Sequence, residues 1–506
     1  MTDHEGTFCV VLHSHLPWLA HHGSWPVGEE WLYQAWAHSY LPMVDLLERF
    51  AAEGRRDVLT LGVTPVLAAQ LDDPYSVRAF HDWLGHWQLR AQHASTLWRG
   101  DPILRELAAA EHRTAVRATE ELGTRWRHGF SPILRSLVDK STIELLGGPL
   151  AHPFQPLLDP RVREFALKAG LADTALRLGS RPEGIWAPEC GYAPGMENGY
   201  AAAGVRRFLV DGPSLRGATW AARPVGGTDV LAFGRDLEVT YRVWSPKAGY
   251  PGHAAYRDFH TWAHEVGLKA SRVTGKTVEP PDKAPYDPSL AADVLGLHVK
   301  DFVDTVVTRL RSLKAQHGRE ALVIAAYDTE LFGHWWHEGP AWLEGVLRAL
   351  PEAGVRVTTL KGAMEAGHVG EPIDLPSSSW GSGKDWRVWD GEQVKDMVDA
   401  NAALQERLLG LVAGLDTTAR DTVADQAVAE AMLALESDWA FMVTKDSAAD
   451  YARARAALHA GRVHELAGLL RSGRDRAAHR RAEAWTDARQ PVFGHLDARD
   501  LTHPAT

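Results

Sequence analysis

The chain of 506 residues reads as an α/β protein: a (β/α) barrel with a small inserted domain and an all-helical C-terminal domain. Three observations predict this. Short runs of consecutive apolar residues recur up to residue 360, each followed by a longer stretch of mixed polarity. One segment rich in glycine, proline and aromatic residues interrupts them. Beyond residue 386 the apolar residues follow only a helical period.

The apolar runs fall at residues 7–12 (TFCVVL), 58–63 (VLTLGV), 142–146 (TIELL), 184–186 (GIW), 205–210 (VRRFLV), 322–326 (LVIAA) and 355–359 (VRVTT). Continuous rather than alternating apolarity suits strands covered on both faces, and helical spacers between strands suit parallel pairing. This many repeated units favour a barrel over an open sheet, and the expected barrel comprises residues 1–189 and 259–385. Residues 190–258 carry GYAPGMENGY, GGTDVLAFGRD and YRVWSPKAGYPGH, turn-forming text expected of an inserted lid-like domain. The stretch EPIDLPSSSWGSGKDW (371–386) breaks the composition. Beyond it Leu404, Leu408 and Leu411 share one helical face, as do Val428, Met432 and Leu435, which makes 386–506 a helical domain. The basic tract RSGRDRAAHRRAEAW (471–485) reads as a solvated helix face.

Composition excludes several functions. Lys and Arg number 54 against 65 Asp and Glu, a net charge of −11, and no long basic block provides a nucleic-acid footprint. Two cysteines, Cys9 and Cys190, cannot build a disulfide framework or a four-thiolate metal site. The opening MTDHEG has no basic flank for a signal peptide, and no apolar stretch reaches the roughly 18 residues of a membrane span, so a soluble cytoplasmic protein without membrane partners is expected. Tryptophan is the outlier, with 20 residues against 13 Phe and 11 Tyr.

Three motifs carry the chemistry. In VVLHSHLPW, His13 and His15 end the first strand on one side of it. In a barrel the carboxyl ends of strands line the active site. The pair therefore reads as substrate hydrogen-bonding groups, as metal ligands, or as a structural pair on backbone carbonyls. In GIWAPECGY, Glu189 follows a short strand and is flanked by Trp186 and Pro188, which suits an aimed nucleophile or acid/base. In LVIAAYDTELFGHWWHEGP a buried strand runs directly into Asp328, Glu330, His334, Trp335, Trp336, His337 and Glu338. So many ionisable and indole groups are costly there unless they face a cleft, although Asp328 and Glu330 also fit a helix-capping turn. Other motifs fail: SRVTGKT lacks the first glycine of a phosphate loop, HWWHE is not a zinc-protease motif, and no Gly-x-Ser-x-Gly elbow occurs. Two carboxylates among indoles suit glycosidic bond chemistry, since sugar rings stack their C–H faces on tryptophan.

The residues then resemble a known family, glycoside hydrolase family 57, and within it the α-1,4-glucan branching enzymes. The likeness covers nearly the whole chain: VLHSHLPW, HGSWPVGEEWLYQAW, LGVTPVLAAQL, ELLGGPLAHPFQPLL, WAPECGY, FGRD, RVWSPKAGYPG, YRDF, YDTELFGHWWHEGP, SSSWG and SDWAF. It implies an incomplete seven-stranded (β/α) barrel and a retaining mechanism with Glu189 as nucleophile and Asp328 as acid/base. It implies sugar contacts from His13, His15, His152 and Asp438, and a glucan path lined by Trp31, Trp380, Trp389 and Trp439. Tyr250 would be the tip of a mobile loop over the acceptor side. The implied partner is an α-glucan serving as donor and acceptor, with no metal or other cofactor; monomer and dimer both stay open. A 4-α-glucanotransferase or amylase would use the same carboxylates, and a metal-dependent hydrolase built on His13 and His15 is a further alternative. By contrast Trp83, Trp87, Trp98 and Trp126 lie in helical stretches and read as packing. The chain departs from the family in having Ala270 and Ser271 where an aromatic pair is expected before Arg272.

Overall fold

The computed structural model describes residues 4–24, 27–245, 248–415, 418–489 and 492–502. Trp25 and Pro26 of the HGSWPVGEEW stretch, and Pro246 and Lys247 of RVWSPKAGYPG, lie outside the described residues. The strands are β1 Gly6–Ser14, β2 Leu59–Val63, β3 Ile143–Leu146, β4 Gly184–Ile185, β5 Arg207–Asp211, β6 Arg223–Pro224, β7 Leu231–Arg235, β8 Leu322–Asp328 and β9 Val355–Val357.

All of β1 is buried, and β8 is buried as far as Tyr327, so both needed the unbroken apolar runs seen in their sequences. β8 pairs in parallel along one edge of β1, from Thr7 opposite Leu322 to His13 opposite Asp328. The other edge of β1 is shared: its first residues pair with β9 and its last four, Val11 to Ser14, with β2. β2 continues to β3, and a second sheet runs β4, β5, β7 in parallel, with β6 antiparallel at its edge.

The two sheets meet at two thin seams. A single bridge joins Gly147 to Ile185, and Asp236 N–H donates to the Ile324 carbonyl at 2.8 Å. Seven parallel strands thus form a ring that is continuous in outline but weakly laced, in keeping with an incomplete barrel. Its interior is partly polar. Arg235 at the end of β7 donates to Asp211 at the end of β5 at 2.8 Å, and Lys384 reaches the same carboxylate at 2.7 Å.

This topology corrects the expected boundaries of the insert. β5 and β7 fall inside 190–258, yet they are barrel strands and every residue in them is buried. The run LAFGR was hidden because it is five residues long, holds a glycine and ends on a charge that the barrel interior neutralises. The irregular excursion lies later, over 241–286, held by isolated bridges such as Arg257 to Arg272 and Ala263 to Leu268.

Helices that flank the barrel begin repeatedly on Asp-Pro. Asp73, Asp101, Asp159 and Asp287 each accept a first-turn N–H while the following proline occupies the position that needs no donor. From Lys395 the chain is helical: Lys395–Val412, Thr422–Ala434, Ser437–Thr444, Ala449–Arg471 and Asp475–Arg489. Leu404, Leu408, Val428, Met432 and Leu435 share one buried cluster, with Leu411 packed against it. No helix among the described residues is long and apolar enough to cross a membrane.

Candidate active site

Because β1, β2, β4, β7 and β8 all belong to the parallel ring, their carboxyl ends lie at one mouth of the barrel. Glu189 follows β4 after Trp186, Ala187 and Pro188. It holds a left-handed backbone (φ 60°, ψ 18°), as does Cys190 (φ 51°). Two successive non-glycine residues in that region are strained, and the neighbourhood has to hold them there. It does so through SSSWG: Tyr192 and Ser378 exchange backbone hydrogen bonds, and Trp380 N–H donates to the Glu189 carbonyl at 2.8 Å. Both oxygens of the Glu189 carboxylate accept bonds, Oε2 from the Trp380 indole at 2.8 Å and Oε1 from the Ser437 hydroxyl at 2.7 Å.

Burial raises the Glu189 carboxyl to about 7, with the charge of Asp438 adding to it and the bonds from Ser437 and Trp380 opposing it. Asp328 ends β8 directly across from His13 and is also pushed up to about 7, by burial and then by Glu189, against the pull of Arg235. Among the described residues its carboxyl takes part in no side-chain hydrogen bond. Two donors aimed at Glu189 favour its anion, and Asp328 lacks any such donor among the described residues. Glu330 is a third buried carboxyl, raised to about 8 by burial and Asp328, and accepts from Tyr40 and from the backbone N–H of His15.

The histidines form a directional chain. Burial keeps His13 and His152 neutral, each well below its ordinary value. The Ser437 hydroxyl donates to Glu189, so it must accept from His152 Nδ1–H at 3.0 Å. His152 Nε2 then accepts from His13 Nε2–H at 3.0 Å. His13 Nδ1 is left buried without a partner, while its ring stacks on Trp186 with centroids 4.3 Å apart. His15 bonds Asp438 Oδ2 through Nε2 at 2.8 Å and Thr64 through Nδ1 at 2.9 Å. His15, His152 and Asp438 offer ligand atoms within 4.8 Å of one another and are the grouping, among the described residues, that could hold a metal. His13 lies outside that grouping, so the pair His13 and His15 does not by itself make a metal centre.

The structure gathers Glu189, Asp328, His13, His15, His152, Asp438 and Trp380 in one place. Trp31 is half-buried against Tyr451 and lines a cleft beside the site. Three expectations fail. Tyr250 is no loop tip: it is 6% exposed, stacks on His298 and donates to Asp301. Trp389, 2% exposed, stacks flat on Phe154 at 4.6 Å, and Trp439, 1% exposed, donates to the Leu433 carbonyl. All three are packing residues here, because the fold covers their rings with neighbouring aromatic and aliphatic groups. Sequence reasoning also missed Ser437 and Arg235. Both stand inside quoted motifs, SDWAF and FGRD, but a serine or arginine there carries no signal until its partner is known.

A parallel (β/α) ring ending in two buried carboxylates, backed by indoles and neutral imidazoles, defines a carboxylate-dependent enzyme of glycosidic bonds. The model of glycosyl hydrolase family 57 matches residues 9–375, and that of the C-terminal region of 1,4-alpha-glucan branching enzymes matches residues 401–501. The chain belongs to glycosyl hydrolase family 57. It is 58% identical to a probable 1,4-alpha-glucan branching enzyme of Mycobacterium tuberculosis, covering 98% of both chains. Its fold is similar to the crystal structure of a family 57 branching enzyme from Thermococcus kodakaraensis, with TM-score 0.91, 28% identity and coverage of 99% and 97%. It is also similar to the alpha-amylase AmyC of Thermotoga maritima, with TM-score 0.87, 25% identity and coverage of 99% and 100%.

Proposed function

We propose that this chain is a retaining 1,4-α-glucan branching enzyme, with Glu189 as nucleophile and Asp328 as acid/base. The observation that carries the role assignment is the asymmetry of the two carboxyls. Glu189 receives two hydrogen-bond donors that favour its anion, from Trp380 and Ser437, and Asp328 has no such donors. The choice of branching over hydrolysis is supported by full-length likeness to branching enzymes and by the matching C-terminal region.

In the first step a Glu189 oxygen attacks the anomeric carbon of an α-1,4-linked glucan. The bond from that carbon to O4 breaks, and Asp328 gives its proton to O4 as the reducing-side fragment leaves. In the second step Asp328, now ionised, takes the proton from a 6-hydroxyl of another glucan chain. That oxygen attacks the anomeric carbon, the ester to Glu189 breaks, and an α-1,6 branch forms with the original configuration. His13, His15, His152 and Asp438 would contact sugar hydroxyls near the cleaved bond, and Trp380 would hold Glu189 while offering its ring. A glycogen-like polymer in the cytoplasm is the expected setting.

The test is to incubate the protein with amylose and record proton NMR spectra of the product before and after treatment with a debranching enzyme. New α-1,6 anomeric signals that debranching removes are expected. New reducing ends without such signals would instead mark hydrolysis, the activity named for the Thermotoga relative.

A further inference from the structure

Beside the catalytic carboxylates lies a cleft of about 640 Å³, walled by Trp31, by the turn that follows Glu330 and by the excursion over 241–286. Its turn is fixed by Gly333 (φ 99°), where a Cβ would sit 1.8 Å from the His38 carbonyl oxygen, so no other residue fits. Trp83 and Trp87, which read as packing in the sequence, are buried in its wall.

The charges of this cleft are unevenly satisfied. Each of its carboxylates is already partnered. Glu111 takes Arg257 at 2.7 Å and the Trp87 indole at 2.9 Å. Asp258 takes Lys283 and Thr261, and Glu30 takes the Trp83 indole and Gln34. Arg257 also gives its Nε–H and one Nη2–H to the Lys269 carbonyl.

Two cations are left over. Among the described residues neither Arg90 nor Lys269 has a carboxylate within ion-pair distance. Lys269 sits over the rings of Phe259 (3.7 Å) and Trp262 (4.8 Å), and Arg90 over Trp83 (5.4 Å). Arg90 Nε and, nearby, His334 Nδ1 are buried with no hydrogen-bond partner. Burial and the charge of Arg257 push Lys269 down to about 7, despite the pull of Asp258 and Glu111. The charges of Lys269, Arg257 and Arg90 all bear on His38, which places them in one neighbourhood. A neutral glucan supplies hydroxyls and C–H faces but no negative charge to balance two partly desolvated cations. Two half-buried cations without ion-pair partners, beside the orphaned polar atoms Arg90 Nε and His334 Nδ1, point to an anion as the group that completes the cleft.

We propose that this cleft binds an anionic saccharide, a sugar unit carrying a phosphate or a carboxylate, with Arg90 and Lys269 as its charge partners. It extends the glucan-transfer reading to the charge of one glycosyl partner and rests on that reading.

The test is calorimetric titration of the full chain with glucose, glucose 6-phosphate, glucuronic acid and inorganic phosphate. At least one of the two acidic sugars should bind tenfold or more tightly than glucose, and more weakly in 0.5 M NaCl. Which of them binds distinguishes phosphate from carboxylate. Lys269→Met and Arg90→Gln should each weaken that binding fivefold or more, while Lys269→Arg retains it. Circular dichroism confirms that each variant is folded. Equal affinity for glucose and both acidic sugars overturns the proposal, as does binding that survives both substitutions or inorganic phosphate binding as tightly as the sugar. Branching of neutral amylose is followed in parallel. Branching without anion selectivity removes the cleft proposal alone, whereas anion binding without branching removes the glucan-transfer reading and leaves the site.

Discussion

The catalytic mouth and the neighbouring cleft leave opposite charges without ion-pair partners. The mouth gathers Glu189, Asp328, Glu330 and Asp438 around few cations, and burial raises Glu189, Asp328 and Glu330 toward neutrality, so protons stay within reach of the reacting bond. The cleft holds Arg90 and Lys269 half-buried, with no ion pair among the described residues, and the same desolvation lowers them. One physical effect thus serves two ends, proton storage at the mouth and readiness for an anion beside it. What distinguishes the two is partnership: donors from distant segments complete the mouth, and aromatic faces alone cover the cations of the cleft.

The comparison can be broken most sharply at Glu189. Glu189→Gln should cut turnover of amylose by about 10⁴-fold or more, with far-UV circular dichroism unchanged. Activity within tenfold of the parent would remove it as nucleophile. The next effect in size falls on stability. Trp389→Ala empties a stacked, buried position and should cost about 3–5 kcal/mol in denaturant unfolding. A large loss of glucan affinity at unchanged stability would return Trp389 to the groove.

Ser437→Ala probes how the mouth is completed, with an expected loss of about 10- to 100-fold in kcat and little change in KM, the cost of a hydrogen bond to a charged group. Working activity needs Glu189 ionised and Asp328 protonated, so the parent should lose rate on both sides of a maximum near pH 7. Ser437 lowers the Glu189 value, so its removal should move the acid side of that profile upward. An unmoved acid side would reduce Ser437 to packing. The smallest effect belongs to Tyr250→Phe, which loses one bond to a partly exposed Asp301. It should cost about 1 kcal/mol of stability and leave kcat within twofold. A tenfold fall in transfer would restore Tyr250 to the acceptor side.

Much of the frame was legible in the residues. The runs TFCVVL and LVIAA named β1 and β8 because a strand covered on both faces must be apolar throughout, and the polar groups that follow them had to lie at the mouth. β7 was not legible, since LAFGR ends on an arginine whose partner Asp211 is identified only by the folded ring. Trp380, Trp389 and Trp439 look alike in sequence. Only packing separates the indole that holds Glu189 from the two that are covered by Phe154 and by the helical domain.

The sequence by itself determined where the two carboxylates stand along the chain and that each follows a barrel strand, because local apolarity and strand-ending residues are properties of neighbours. The tertiary structure alone decided which carboxyl receives hydrogen-bond donors, which tryptophans are covered and which cations go unpaired. Those outcomes depend on burial and on partners such as Ser437, 248 residues away from Glu189. Such contacts exist only after the helical domain has closed over the barrel.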